Sequence, residues 1–347
     1  MTKKTLWALI TALLTFLTIY MFFSQSGLSF SEFLEDIQEA NYFWLIPAAV
    51  CMLLYIIFEG TALTHISRAL GYPVKHRKGF LYASADIYFS SITPSASGGQ
   101  PASAFFMIKD GISTSVATAS LILNVTMYTI AIITIGLFCV LFSPRVFLSF
   151  PLVCKLMILF GIVAMLVLMI FFIILLKKYQ ILLKAGHLTI IILSKLHFKT
   201  AARKLESKLS DSIEKYKACV RQLYGKKTLL LRIYILNLLQ RISQILVTVF
   251  VYFALHGDYT NGLLIFIIQS YVVIGSNFIP VPGAIGISEF IMFCGYSMIA
   301  DSDFAGSLAL VSRGISFYTC SIISIFTVIL GYIFIRMKDK KAEGDAL

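Results

Sequence analysis

A chain of 347 residues would by length alone make about two soluble domains, but 59% of it is hydrophobic and only 13% charged, with a mean hydropathy of +0.87. Soluble domains carry roughly 25% charged residues, and a water-soluble fold of this size could not hide so much apolar surface, so most of it faces lipid or other buried helices. That excludes a cytosolic enzyme, a nucleic-acid-binding domain and a disulfide-stapled secreted module. The net charge of +12 is local: residues 177–227 hold thirteen Lys/Arg against Glu206, Asp211 and Glu214.

A helix needs about 20 apolar residues to cross the hydrocarbon core. Residues 5–23, preceded by Lys3 and Lys4, lack a small-x-small cleavage site and read as a retained membrane helix rather than a signal peptide. Residues 42–63 form the second span. Residues 80–108 are apolar at both ends but broken by Thr93-Pro94-Ser95-Ala96-Ser97-Gly98-Gly99-Gln100-Pro101. Spans follow at 116–142 and 152–176. In 199–224, Leu205, Leu209, Ile213, Tyr216, Val220 and Leu223 recur at helical spacing under a Lys/Arg-rich face. This segment reads as an amphipathic helix on the anionic inner-leaflet surface, or half of an intracellular hairpin with 179–198. Pairing with another chain, as in a homodimer, is the alternative. A span at 228–255 precedes a second broken stretch, 263–300, interrupted by Asn277-Phe278-Ile279-Pro280-Val281-Pro282-Gly283-Ala284-Ile285-Gly286. The last span is 305–335.

Loop charge sets the direction. Residues 24–41 carry Glu32, Glu35, Asp36 and Glu39 without Lys or Arg. The 64–79 loop carries Arg68, Lys75, Arg77 and Lys78, and the tail Arg336, Lys338, Lys340 and Lys341. Alternation then places both termini in the cytoplasm. The arms of the two broken stretches, about 13 to 17 residues each, are short for a crossing. Each stretch therefore reads as a hairpin that returns to its own side. The expected architecture is an all-α integral membrane protein with six full spans plus two re-entrant helical hairpins arranged as an inverted repeat. Its parts are residues 1–142 (first membrane half, hairpin 80–108), 143–176 (first span of the second half), 177–227 (basic cytoplasmic segment), 228–335 (the rest of the second half, hairpin 263–300) and the tail 336–347. Pro94 and Pro280 lie 186 positions apart. Inverted repeats with interrupted segments at matching places mark transporters and point to the substrate site, because irregular backbone in a bilayer must be packed in protein or line a polar cavity.

In the first break, Gly98 and Gly99 permit unusual backbone angles, and Pro101 suits the first turn of a following helix. Its free N–H groups would attract an anion, with Ser95, Ser97 and Gln100 adding neutral hydrogen-bonding groups. The second break offers Gly283 and Gly286, then Ser288 and Glu289 opening another helix. The plainer reading of each is a kink or an interhelical turn. Ionisable residues inside apolar segments tend to be functional. Glu289 is expected to pair with Arg313, either as part of a site or only as a lock on the hairpin. Glu59, Asp86 and Arg241 are further candidates: Glu59 reads as near the end of its span, Asp86 as capping or pairing locally, and Arg241 as meeting an anionic head group or snorkelling. Cys51, Cys139, Cys154, Cys219, Cys294 and Cys320 form no C-x-x-C pair, and the five histidines no H-x-x-x-H pair. No metal, cofactor or catalytic constellation is expected.

The segment from Ser91 to Pro101 and the segment from Pro280 to Glu289 resemble the two signatures of the lysylphosphatidylglycerol synthase transmembrane-region family, which includes the flippase half of the multiple peptide resistance factor. The resemblance spans nearly the whole chain, and Arg313 matches an arginine that follows the second motif. Many members have Glu where this chain has Gln100, and Gly where it has Ala284. The resemblance implies translocation of lipid, such as lysyl-phosphatidylglycerol, across the bacterial cytoplasmic membrane. Full-length relatives carry a soluble aminoacyl-transferase domain after the membrane part; about a dozen residues follow Ile335 here, so that domain, and with it enzyme activity, is not expected in this sequence. The expected function is a flippase for an anionic or aminoacylated phospholipid, with a separate synthase or glycosyltransferase as a candidate partner and no nucleic acid. The binding set is Pro94, Ser95, Ser97, Gly98, Gly99, Gln100, Pro280, Pro282, Gly283, Gly286, Glu289 and Arg313. The alternatives are a membrane component of phosphatidylglycerol lysyltransferase, acting in lysylphosphatidylglycerol synthesis and cationic peptide resistance, and a transporter of an isoprenoid-linked glycolipid or small anion.

Overall fold

The computed structural model describes residues 37–93, 96–178, 199–277 and 281–344, with isolated positions at 35, 180, 181, 184, 188, 190 and 191. The expected span 5–23 and most of 179–198 lie outside the described residues, as do Pro94, Ser95 and Pro280.

Every regular element among the described residues is helical. In chain order they are α1 (Tyr42–Ala69), α2 (His76–Ile92), α3 (Gly99–Lys109), α4 (Thr114–Phe142), the short α5 (Pro144–Ser149), α6 (Leu152–Lys177), α7 (Lys199–Tyr224), α8 (Lys227–Ala254), α9 (Gly262–Ser276), α10 (Ile287–Tyr296), α11 (Ser302–Arg313) and α12 (Cys320–Gly344). Several starts carry the side-chain acceptor that unpaired first-turn N–H groups need. Asn41 accepts from the Phe43 amide at α1, and Asp301 from the Phe304 amide at α11. Pro144 and Pro151 open α5 and α6, where no intrahelical N–H is missed.

Among the described residues six helices are long and apolar enough to cross a membrane: Tyr42–Ala69, Thr114–Phe142, Leu152–Lys177, Lys227–Ala254, Tyr259–Ser276 and the composite Ser302–Met337. Five of them overlie expected spans. The sixth, α9 with its leading 3-10 turn, is the first arm of the second broken stretch; the turn at Tyr259–Asn261 brings it to 18 residues, above the length expected from sequence. Their outer faces are apolar: α6 exposes Leu152, Leu156, Phe160, Val163, Val167 and Phe171, and α12 exposes Phe326, Leu330 and Phe334. Contiguous exposed apolar surface of this extent suits lipid, not water.

Inside, two apolar clusters form. One gathers Met52, Ile56, Ile158, Ile245, Tyr271 and Ile291, the other Leu63, Ile66, Tyr82, Phe106, Leu121 and Ile233. The same long helices serve both, so the residues between them on α1 and α8 are buried at mid-helix. Helices α1 and α8 pack along one another, and α2 packs against α1, α3 and α12. At the α1–α2 crossing, Gly60 lies against the backbone of Gly79, and a Cβ on either would collide with main-chain atoms. Small residues that let two backbones touch are a common basis of helix packing in membranes.

Both breaks fall at the sequence-marked places. Helix α2 stops at Ile92 and α3 starts at Gly99; α9 stops at Ser276 and α10 starts at Ile287, with a 3-10 turn over Pro282–Ala284 between them. Lys78 near the start of α2 pairs with Asp110 just past α3 (2.6 Å), and Tyr82 donates to the other oxygen of Asp110 (2.8 Å). The outer ends of α2 and α3 therefore lie side by side. The last expected span is interrupted: six residues, Gly314–Thr319, wind as a π-helix between α11 and α12.

Helix α7 differs from the surface helix suggested by its pattern. Ile213, Tyr216, Val220 and Leu223 are buried against α4 and α8, Tyr216 donates to the Leu175 carbonyl, and Ser115 to the Ser212 carbonyl. From Ile213 to Leu223 its apolar stripe is covered by the protein itself, leaving Lys215, Lys217 and Arg221 outward.

Candidate functional site

A cavity of about 510 Å³ lies among α1, α2, α4, α6, α8, α9, the second break and the π-segment. It is within the size range of small-ligand pockets. Both breaks reach it: Ala96, Ser97 and Gln100 from the first, Val281, Gly283 and Ala284 from the second. Of the expected binding residues, Ser97, Gln100, Gly283 and Arg313 line it. Gly98, Gly99, Pro282, Gly286 and Glu289 shape or brace the breaks behind it.

The first break is built on side chains that stand in for missing backbone partners. Thr93 accepts from the Gly98 amide (2.9 Å) and donates to the Phe89 carbonyl (2.6 Å). Gly99, the first residue of α3, lies directly on Asp86 and Ser90 of α2, leaving no room for a Cβ. The start of α3 therefore does not stand open to an external anion as the sequence suggests. The Asp86 carboxylate lies against it, and negative charge is stabilised at a helix N-terminus. Gln100 donates to Asp86 Oδ2 (2.7 Å) and Ser90 to Asp86 Oδ1 (3.3 Å). Asp86 does pair locally, as one sequence reading had it.

The second break follows the same logic. Gly283 (φ 60°) and Gly286 (φ 81°) take left-handed backbone angles that a side chain disfavours. Glu289 Oε2 accepts from the Gly286 amide (2.8 Å) and from Ser288 Oγ (2.9 Å), closing the start of α10. Its Oε1 accepts from Arg313 Nε (2.8 Å), so the expected Glu289–Arg313 pair forms. Arg313 Nη2 donates to the Gly283 carbonyl (2.7 Å), and the guanidinium stacks 4.4 Å from the Phe317 ring centroid. Arg313 thus faces the cavity already neutralised, holding the second break to the π-segment.

The centre of the cavity belongs to α1 and α8. Arg241 is the fifteenth residue of the 28 in α8 and only 8% exposed, so it does not snorkel to an aqueous surface. Its guanidinium lies over the rings of Tyr128 (4.6 Å) and Tyr55 (5.4 Å), a cation–π arrangement. Nη1 donates to Gln244 Oε1 (2.9 Å) and Tyr55 Oη (3.4 Å), while Nε is buried without a partner among the described residues. Gln240 donates to Glu59 Oε2 (2.7 Å). Glu59 is 5% exposed and followed by ten further helical residues, so it does not sit at the end of its span. The sequence ended that span early because Thr64, His65, Ser67 and Arg68 look like loop. The helix continues through them, with Thr64 bonded to the Gly60 carbonyl and Arg68 to the Val74 carbonyl.

Tyr55, Tyr128, Gln240 and Gln244 were not singled out in the sequence. The available signal is polar side chains inside apolar spans, which hydrogen-bond across helices even when uncharged. Among the described residues no group of three or more His, Cys, Asp or Glu could hold a metal.

These features define a multi-pass α-helical membrane protein with a charged cavity buried among its spans. The sequence profile described as Lysylphosphatidylglycerol synthase TM region matches residues 7–324, and the chain belongs to that family. Membership relates it to the synthesis or translocation of lysylphosphatidylglycerol. A comparison with curated proteins finds no match.

Proposed function

We propose that this protein is a lipid translocase of the bacterial cytoplasmic membrane that carries an anionic or aminoacylated phospholipid, such as lysyl-phosphatidylglycerol, with the phosphodiester received at Arg241. The observation that carries the reading is Arg241 itself, a mid-helix cation in the cavity wall with an unpartnered buried Nε. A charge at the centre of a membrane helix costs about 2.5–3.5 kcal/mol on insertion scales, and an unsatisfied charged donor adds to that. A phosphodiester oxygen would satisfy it. The cavity is of a size for a head group, with the acyl chains left in lipid.

The transport architecture in this reading is an inverted repeat with two re-entrant hairpins and both termini cytoplasmic. Three observations support it. Helix–break–helix recurs in corresponding places of the two halves, and both breaks line one cavity. The outer ends of α2 and α3 are tied by Lys78 and Asp110. Tyr55 and Arg241, which touch across the α1–α8 packing, are 186 positions apart, the same offset as Pro94 and Pro280. Contact between equivalent residues is what a two-fold axis through the α1–α8 pair requires. In this orientation the basic face of α7 meets the anionic inner leaflet.

The test is translocation of fluorescent and of lysylated phosphatidylglycerol in liposomes holding the purified protein. Wild type is expected to move the lipid between leaflets. Arg241→Gln and Gly99→Leu, which drives a side chain into Asp86, are each expected to slow it at least tenfold. A wild-type rate equal to that of empty liposomes for both lipids overturns the proposal.

A further inference from the structure

Glu59 of α1 and Asp86 of α2 are 5% and 8% exposed, and their carboxyl groups are in hydrogen-bonding contact with each other. An ionised carboxylate only accepts hydrogen bonds. A bond between two carboxyl groups therefore places a proton on one of them, and such a pair titrates as a unit in two separated steps. The titratable or charged groups that face the pair are Tyr55 from its own helix, Tyr128 from α4, Arg241 from α8 and Cys320 from α12; α3 contributes the neutral Gln100. Arg241 is the one cation in this set. With one proton between them the pair would carry a single negative charge for Arg241 to balance, and the cluster would be neutral.

The hydrogen-bond inventory points the same way. Gln100 and Gln240 each give an amide N–H to one of the carboxyl groups, and each keeps its amide oxygen buried with no partner among the described residues. Gln240 is 1% exposed. Of the unmet buried groups on the residues around the acid pair, two are acceptors, the Gln100 and Gln240 amide oxygens, and one is a donor, Arg241 Nε, which the phosphodiester would engage. Buried acceptors left unmet are destabilising, and a further proton on the pair would turn a carboxylate oxygen into a donor.

We propose that the Glu59–Asp86 pair is the proton-binding site of the transporter, and that receipt of a phosphodiester at Arg241 is accompanied by uptake of one further proton by the pair. This rests on the reading of Arg241 given above. The charge count is explicit. The phosphodiester takes over the guanidinium as its counter-ion and leaves the pair's negative charge uncompensated. One proton from water forms an O–H bond on the remaining carboxylate and restores neutrality. On release of the lipid to the opposite side the same O–H bond breaks and the proton leaves to water there. For phosphatidylglycerol, one lipid anion and one proton cross together, without net charge.

Two measurements on the full chain in phosphatidylcholine vesicles test this. In the first, infrared difference spectra between acid and neutral pH follow the carbonyl band of a protonated carboxylic acid, which requires no lipid cargo. The part of the band that belongs to the pair is expected in wild type, over the background of the chain's other carboxyl groups, and is missing in both Glu59→Gln and Asp86→Asn. In the second, fluorescent phosphatidylglycerol is equilibrated across wild-type vesicles under a one-unit pH gradient. One coupled proton enriches the lipid in the more alkaline leaflet by up to tenfold at steady state. No carboxylic-acid band in wild type, or the same band in both variants, overturns the proton site. Lipid that moves but stays evenly distributed under the gradient overturns the coupling. Wild-type vesicles that move no lipid at all contradict the translocase reading instead, and the infrared result still decides the proton site on its own.

Discussion

Ala96 and Ala284 occupy equivalent kinds of place, one in each break, and both take left-handed backbone angles (φ 54° and 51°). For an L-residue with a Cβ this costs about 1–2 kcal/mol, part of which glycine would give back through a more flexible unfolded chain. Ala284→Gly is therefore expected to stabilise the protein by about 0.5–1 kcal/mol, read as a higher midpoint of thermal unfolding in detergent. Gly283→Ala is expected to lower it, because its Cβ would meet the Phe317 ring at an already unfavourable φ. An unchanged or reversed order of the two midpoints contradicts the described break. Glu289 and Arg313 illustrate a different balance. Removing one partner of a buried ion pair leaves the other charge uncompensated and costs about 3–5 kcal/mol, whereas removing both is far milder. Glu289→Gln is expected to unfold well below wild type, and Glu289→Gln with Arg313→Gln to recover part of the loss. If the double variant is no more stable than the single one, the pair is not the latch described.

At the scale of elements, α7 makes the sharpest prediction. From Ile213 to Leu223 its stripe is buried against the spans, so truncating Tyr216, 2% exposed and bonded to the Leu175 carbonyl, should loosen this part of the helix. Large-to-small changes of buried aromatics cost about 3–5 kcal/mol. Trypsin is expected to cut Tyr216→Ala faster at Lys215, Lys217 and Arg221 than wild type, whereas Lys215→Gln, on the exposed face, leaves the helix docked. Equal cleavage of Tyr216→Ala and wild type would show that the stripe is not held by the protein. Here sequence periodicity was correct about the helix and silent about what covers it, because a 3.6-residue stripe looks the same facing lipid or facing another helix. The breaks were legible because Pro and Gly act locally on the backbone. The depth of Glu59 was not, since Thr64 and His65 beyond it are met by the backbone of their own helix and by Arg232 of α8. The π-segment Gly314–Thr319 carries no local marker and was read as plain helix; what holds it is Arg313 reaching back to Gly283 across thirty positions.

Across the molecule, the charged side chains in and just behind the cavity wall sort into two sets. Glu289 and Arg313 neutralise one another and brace the second break. Glu59, Asp86 and Arg241 sit between the apolar clusters, joined by Gln100, Gln240 and Tyr55. Sequence reasoning placed the anion-binding role on the helix starts of the breaks and on Arg313. The structure shows those helix starts and Arg313 faced by the chain's own carboxylates, whereas Arg241 keeps an Nε donor with no partner among the described residues. The partners of Glu59 and Arg241 are not within reach of a local pattern; Glu59 meets Gln240, and Arg241 meets Tyr55, because α1 and α8 pack along their length. The measurement that bears most directly on this assignment compares lipid translocation by Arg241→Gln and Arg313→Gln in the same liposomes, each normalised to the amount of folded protein. The account predicts that Arg241→Gln loses at least tenfold in rate per folded molecule, with Arg313→Gln losing mainly folded protein. A normal rate from folded Arg241→Gln would contradict it.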